Sequence, residues 1–534
     1  MAFSQAVAPA LTSRFNGRVS SPVNEAGEYD YSNTLDRSYG DLFERRDMDW
    51  RNGGICYQII VDRFVPSADL DAKRHLYPEP KKLLDWDNDL PVYGEYLPEH
   101  EVWSQELEFW GGDLASTRTK LDYVQQLGAD TLYLCPIHEA WTNHGYDALD
   151  YQAVRPEYGT REDVKKLAQD LHERDMTLVL DGVFNHVGRN SQIYRSARDE
   201  ADSQYRDWFE FNPEFPAGHR SWWNNANLPE LELENPAVRQ HIWESPDSVV
   251  RSYLRDGVDG WRLDVAFEIG MRMLGELTEA AHEEKPGSLV LGEITTYPRE
   301  WFPELDAVLN FTLRELLIGI ANGRVGRHAQ SILQRFYSDC DFEHLLKSWV
   351  YLDNHDTARI ATVLPDPAQR DLATVLQFTL PGTVNLYYGS ELGMVGGEDP
   401  RNRAPMRWDW VNDENPVLAR HRQLIALRKN HRALRIGNLR WLETDRLIGF
   451  ERYTNKVSEA VVVIANARDE VVKETILVPD SKLMDHHLMY EHNSDQEILI
   501  KRSLLDVELQ PKQTMILTPI IDKVTGYSAY KRIA

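Results

Sequence analysis

Residues 257–266 read G-V-D-G-W-R-L-D-V-A, and in an extended run the side chains alternate between two faces. Val258, Gly260, Arg262 and Asp264 then share one face, with Asp259, Trp261 and Leu263 on the other. In a barrel of alternating strands and helices, Trp261 and Leu263 suit packing against an outer helix. Arg262 and Asp264 fall at the C-terminal end of the strand, where such barrels keep their chemistry. A guanidinium lowers the pKa of a carboxylate beside it, so Asp264 is expected to stay ionised at neutral pH. The plain alternative is a buried Arg–Asp pair that only ties one strand to its neighbour.

Working outward, seven further runs have the length and apolar character of strands buried on both faces. Before the opening stretch come Ile55 to Asp62, Thr131 to Pro136 and Thr177 to Asp181; after it come Ser288 to Gly292, Asp306 to Asn310, Trp349 to Asp353 and Val384 to Tyr388. Helical periodicity fills the gaps. Leu121, Val124 and Leu127 are spaced for one helix face ended by Gly128, and Thr160 with Asp163 forms a capping-box start for Val164, Leu167, Ala168 and Leu171. Strand and helix in this alternation predict an α/β fold, a parallel (β/α)8 barrel over residues 50–436. The regularity breaks at residues 187–234, rich in Asn, Pro and Trp, which read as a small domain inserted after strand 3. Asn235-Pro236 then restarts a helix as N-cap and first helical residue. Residues 437–534 change to short alternating runs, the texture of an antiparallel β-sandwich, and the polar residues 1–49 read as an extension that wraps or caps the barrel.

Charge narrows the partners. With 59 basic and 85 acidic residues the chain carries −26, which repels phosphate backbones and anionic lipid and suits a neutral ligand. No nucleic acid and no membrane are expected as partners; oligomeric state is left open. No apolar run approaches the ~18 residues that cross a bilayer. The first eleven residues lack the basic and apolar parts of a secretory signal, so the expected location is cytoplasmic. Three scattered cysteines, Cys56, Cys135 and Cys340, make neither a disulfide framework nor a zinc site.

Three strand ends carry acids: Asp264, Glu293 in L-V-L-G-E-I, and Asp356 in L-D-N-H-D-T-A-R. Leu289, Leu291 and Glu293 share a parity that puts the glutamate on the inward face. Two carboxyl groups about 5 Å apart suit double displacement at a sugar carbon. Glu293, its pKa raised by negative neighbours, would be the acid, and Asp264 would attack. Asp356 would hydrogen-bond sugar hydroxyls, as would His186 and His355 at strand ends.

With these residues in view, the chain resembles the α-amylase family. D-G-V-F-N-H (residues 181–186), G-W-R-L-D-V-A (260–266), G-E-I (292–294) and D-N-H-D (353–356) look like its four signature regions, in order. L-P-E-L at 228–231 and Y-Y-G-S-E-L-G at 387–393 fit weaker ones. The resemblance implies Asp264 as nucleophile, Glu293 as acid/base and Asp356 as transition-state stabiliser. It places Arg262, His186 and His355 around the attacked glucose, with Tyr146 of H-G-Y-D stacked on its ring. W-G-G-D-L, N-H-G-Y-D and D-P-R-N-R-A-P-M-R-W look most like the neopullulanase and cyclomaltodextrinase group, where the residues matching Asp399 and Arg403 bind the next sugar on the non-reducing side. Phe267 and Thr295 depart from that group, which usually has Asn and Trp there.

The expected function is therefore a retaining hydrolase of α-1,4 links in malto-oligosaccharides, cyclodextrins or starch fragments. The rivals are a transglycosylase with the same acids, a sucrose-acting relative and an inactive carbohydrate-binding barrel. No cofactor is required by this chemistry. Calcium is one addition: the resemblance puts Asn185 near a cation position, and Asp69, Asp71 and Asp113 suggest a second oxygen-rich site.

Overall fold

The computed structural model describes residues 35–521. Eight parallel strands close on themselves in chain order: β1 (Ile55–Ile59), β2 (Thr131–Leu134), β3 (Thr177–Gly182), β4 (Gly260–Leu263), β5 (Leu289–Ile294), β6 (Ala307–Asn310), β7 (Trp349–Val350) and β8 (Thr383–Tyr387). Closure is made by β1, which pairs with β2 on one side and β8 on the other. The expected parity holds at the opening stretch. Leu289 and Leu291 belong to the cluster that fills the barrel with Cys56, Tyr133 and Trp349, whereas Trp261 and Leu263 join the outer core under the helices.

The expected strand through Ala266 is shorter than its sequence pattern. It stops at Leu263, and Val265 turns into the left-handed region at φ 39°, which a β-branched residue enters at a cost of roughly 1–3 kcal/mol. Its N–H points across to Glu293 instead of continuing the ladder. Helix signals are obeyed more closely. Thr160 and Asp163 form the capping box of Arg161–His172, Asn235 caps Pro236–Arg239, and Gly128 ends Leu121–Leu127 at φ 100°.

The stretch between β3 and β4 packs over the strand ends through isolated bridges such as His186 to Glu230 rather than through a sheet. The C-terminal region has β9 (Asn438–Trp441), β10 (Ile448–Tyr453), β11 (Val461–Ala465), β12 (Val472–Leu477), β13 (His487–Glu491), β14 (Gln496–Ile500), β15 (Leu504–Leu509) and β16 (Thr514–Pro519). A six-stranded antiparallel sheet, β9-β10-β11-β16-β13-β14, faces the pair β12-β15, and alternate residues such as Val462, Ile464, Ile476 and Leu505 fill the space between them. Of the N-terminal extension, residues 1–34 lie outside the described residues. The helix Leu35–Met48 docks by Arg46, which donates to Ile436 O at 2.9 Å and Asn438 Oδ1 at 2.8 Å and pairs with Glu343.

Candidate active site

Arg262 is the hub of the C-terminal mouth. Register sets it beside Asp181 on β3 and Leu291 on β5, and its fully buried guanidinium reaches three carboxylates. Nη1 donates to Asp181 Oδ1 at 2.8 Å and Asp264 Oδ1 at 3.0 Å, and Nη2 lies 2.9 Å from Glu293 Oε2. Asp264 and Glu293 thus face the two terminal nitrogens of one guanidinium. Burial is the largest influence on both and raises both, opposed by Arg262 and reinforced by the neighbouring carboxylates; Asp264 moves well above the ordinary range. This corrects the expectation that Arg262 alone keeps Asp264 ionised. One guanidinium cannot offset the burial of three carboxylates, so both Asp264 and Glu293 are shifted toward their protonated forms.

Asp356 comes from the loop after β7. Its Oδ2 is 3.0 Å from His355 Nε2 and its Oδ1 3.3 Å from Arg403 Nη2. Gln58 Nε2 on β1 contacts His355 Nδ1 at 2.7 Å, while Gln58 Oε1 accepts from Asn385 on β8. That orientation leaves the His355 proton on Nε2, facing Asp356 and the Tyr146 hydroxyl. Tyr146 stacks flat on His355 at 5.5 Å and donates to Asp181 Oδ2 at 3.1 Å. Burial, then Arg262 and Arg403, pushes His355 well down, so it is a neutral donor. Arg403 Nε also lies 3.2 Å from Asp399 Oδ1.

His186, at the end of β3, is buried and lowered to about 4 by that burial, and its ring nitrogens make no well-formed hydrogen bond with the protein. Asn185 donates to Glu268 Oε2 at 3.2 Å. In the insertion, Phe209 is core, packed against Tyr194, whereas Trp223 is 79% exposed and held at φ 50°.

The residues expected near calcium are engaged in separate local contacts. Among the described residues no group of three or more His, Cys, Asp or Glu gathers with metal-holding geometry. Asp113 directs its oxygens to Lys73 Nζ and to the Ser116 N–H, capping its helix. Asp71 pairs with Arg74 on the surface, and Asp69 precedes the short helix Leu70–Lys73 without capping it. The acidic loop composition serves these local contacts, and Asn185 is engaged by Glu268.

Sequence reasoning passed over Asp181, which accepts from Arg262, Tyr133 and Tyr146; the parity of Val179 and Asp181 on β3 carried the signal. It also passed over Gln58 and Glu106, whose partners are distant in the chain. A cavity of about 610 Å³ lies elsewhere, between the helix Ala329–Asp339 and the sandwich, and shares no residue with the acids.

Asp264 and Glu293 gathered on Arg262, with Asp356 of the loop after β7 held by Arg403, at the mouth of a closed (β/α)8 barrel, define a glycoside hydrolase. The model of the α-amylase catalytic domain matches residues 58–437. Neopullulanase 2 of Thermoactinomyces vulgaris is 31% identical over 494 residues, covering 88% of this chain and 78% of that protein. A cyclomaltodextrinase of Geobacillus thermopakistaniensis is 30% identical over 453 residues, covering 81% and 71%. Among solved structures, the cyclic α-maltosyl-(1→6)-maltose hydrolase of Arthrobacter globiformis superposes with a TM-score of 0.73 at 28% identity, covering 88% of this chain and all of that one. The chain belongs to the α-amylase family of glycoside hydrolases.

Proposed function

We propose that this protein is a retaining hydrolase of α-1,4-glucosidic bonds in malto-oligosaccharides, cyclodextrins or starch fragments. The observation that carries the reading is that the Asp264 and Glu293 carboxyl groups share one guanidinium, 3.0 Å from Arg262 Nη1 and 2.9 Å from Nη2. An inverting enzyme leaves roughly 6.5–9.5 Å between its two carboxyl groups for a water, whereas a retaining one brings them to about 5 Å.

Protonated Glu293 delivers its proton to the glycosidic oxygen as the Asp264 carboxylate attacks the anomeric carbon. Glu293 then takes a proton from water, and the hydroxide displaces Asp264. Arg262 stabilises the ionised nucleophile. Neutral His355 and His186 donate to ring hydroxyls, Tyr146 covers the ring face, and Asp356 accepts from hydroxyls as the ring flattens. Arg403 and Asp399 extend the contact to the next sugar on the non-reducing side.

The names of the neopullulanase and cyclomaltodextrinase relatives support an α-glucan substrate, and the charge of −26 supports a neutral one. Among the described residues no helix is long and apolar enough to cross a membrane, and action on glucan fragments in the cytoplasm completes the reading.

The test is incubation with cyclodextrin, pullulan, maltotriose and sucrose in parallel, with product sizing and the anomeric form read early by NMR. Products that first appear in the α form and are shorter than the substrate are expected. First products in the β form overturn retention, and products longer than the substrate in the maltotriose incubation overturn simple hydrolysis.

A further inference from the structure

The segment after β1 is fastened both to the loop after β8 and to the insertion after β3. On one side the Tyr93 ring lies 4.7 Å from the Arg401 guanidinium, in the loop that carries Asp399 and Arg403. On the other, Glu101 pairs with Arg189 of the insertion. Between these anchors the short helix Ser104–Leu107 is locked to the H-G-Y-D loop: Asn143 N–H donates to Glu106 O at 2.7 Å, and Asn143 Nδ2 donates to the carbonyls of Gln105 and Glu108, each at 2.7 Å.

This leaves the Glu106 carboxylate partly exposed beside His144. Glu106 Oε2 accepts the Trp103 N–H at 2.9 Å. Its Oε1 has no hydrogen bond among the described residues and stands 3.9 Å from His144 Nε2. His144 Nδ1 accepts the Tyr146 N–H at 3.0 Å, so Nε2 carries the imidazole proton. An acceptor and a donor 3.9 Å apart are too far for each other and spaced for a hydroxyl that donates to one and accepts from the other. A chain of contacts then links His144 to Asp399. His144 stacks on Tyr146, Tyr146 on His355, His355 meets Asp356, Asp356 meets Arg403, and Arg403 meets Asp399. Asp399 in turn acts electrostatically on Glu106, whose pKa is raised to about 7 chiefly by burial.

We infer that Glu106 and His144 together grip a hydroxyl of the sugar next to the attacked one on the non-reducing side, making Glu106 a specificity residue for substrates with at least two glycone units. The inference rests on the hydrolase reading above.

α-Glucosyl fluoride and α-maltosyl fluoride separate the two, because both release fluoride without acid assistance and differ only by that second sugar. In Glu106→Ala, kcat/KM for maltosyl relative to glucosyl fluoride falls at least ~10-fold, the size expected for a lost hydrogen bond to a charged group. Glu106→Asp, which withdraws the carboxylate by one methylene, gives a fall of the same order if the alanine variant does not fold. Glu106→Gln, which keeps an acceptor in place, recovers part of the ratio. A ratio within about twofold of wild type in whichever of the Ala and Asp variants folds overturns the assignment alone. Wild-type protein that turns over neither fluoride overturns the hydrolase reading and this assignment with it.

Discussion

The backbone N–H of Val265 donates to Glu293 Oε2 at 3.0 Å, from a residue held at φ 39°. The residue after the candidate nucleophile thus orients the candidate acid through a strained main chain. The hydrogen bond favours the charged form of Glu293 and lowers its pKa. Val265→Gly frees this backbone and weakens the bond, so Glu293 stays protonated to higher pH. The alkaline limb of the kcat/KM profile is expected to move upward, and an unmoved or lowered limb contradicts the orienting role.

Asp264→Asn and Glu293→Gln each lose roughly three or more orders of magnitude in turnover on a maltodextrin, about 4 kcal/mol of barrier lowering or more. Steady-state rates on purified, folded variants check this. Either variant keeping about a tenth of the wild-type rate removes that residue from the chemistry.

Asp181→Ala takes one acid from a guanidinium that stays fully buried, and leaves the hydroxyls of Tyr133 and Tyr146 without their common acceptor. Breaking such a buried pair costs about 3–5 kcal/mol. Tm is expected to fall by several degrees and turnover to fall with it as Arg262 shifts toward the remaining acids. Thermal melts and rates read both, and a variant that melts and turns over like wild type discards the anchoring role.

Glu451 lies in the sandwich, away from the barrel mouth. Burial raises it to about 8, the nearby Asp480 adding and Arg440 opposing. A carboxyl group whose folded pKa exceeds its unfolded value contributes stability that is full below the unfolded pKa and is lost as pH rises through the folded one. Glu451→Gln is neutral at every pH, so its Tm relative to wild type is expected to climb between pH 5 and pH 9. A difference that stays flat or shrinks over that range refutes the assignment.

The sequence by itself determined the barrel, the inward row and the three acids that come at or after its strand ends. Period-two alternation is a local property of a strand, so Arg262 and Asp264 on one side and Trp261 on the other were legible before any contact was known. The same holds for the caps at Thr160 and Asn235, which involve neighbours two or three residues away. Only the tertiary structure decided the upward pKa shift of Asp264 and Glu293, the local partners of Asp113 and Asp71, and the position of Glu106. Each depends on which groups chain closure brings together and how far water is excluded from them. Glu106 and Asp399 are separated by almost three hundred residues, and no pattern within either loop encodes the distance between them.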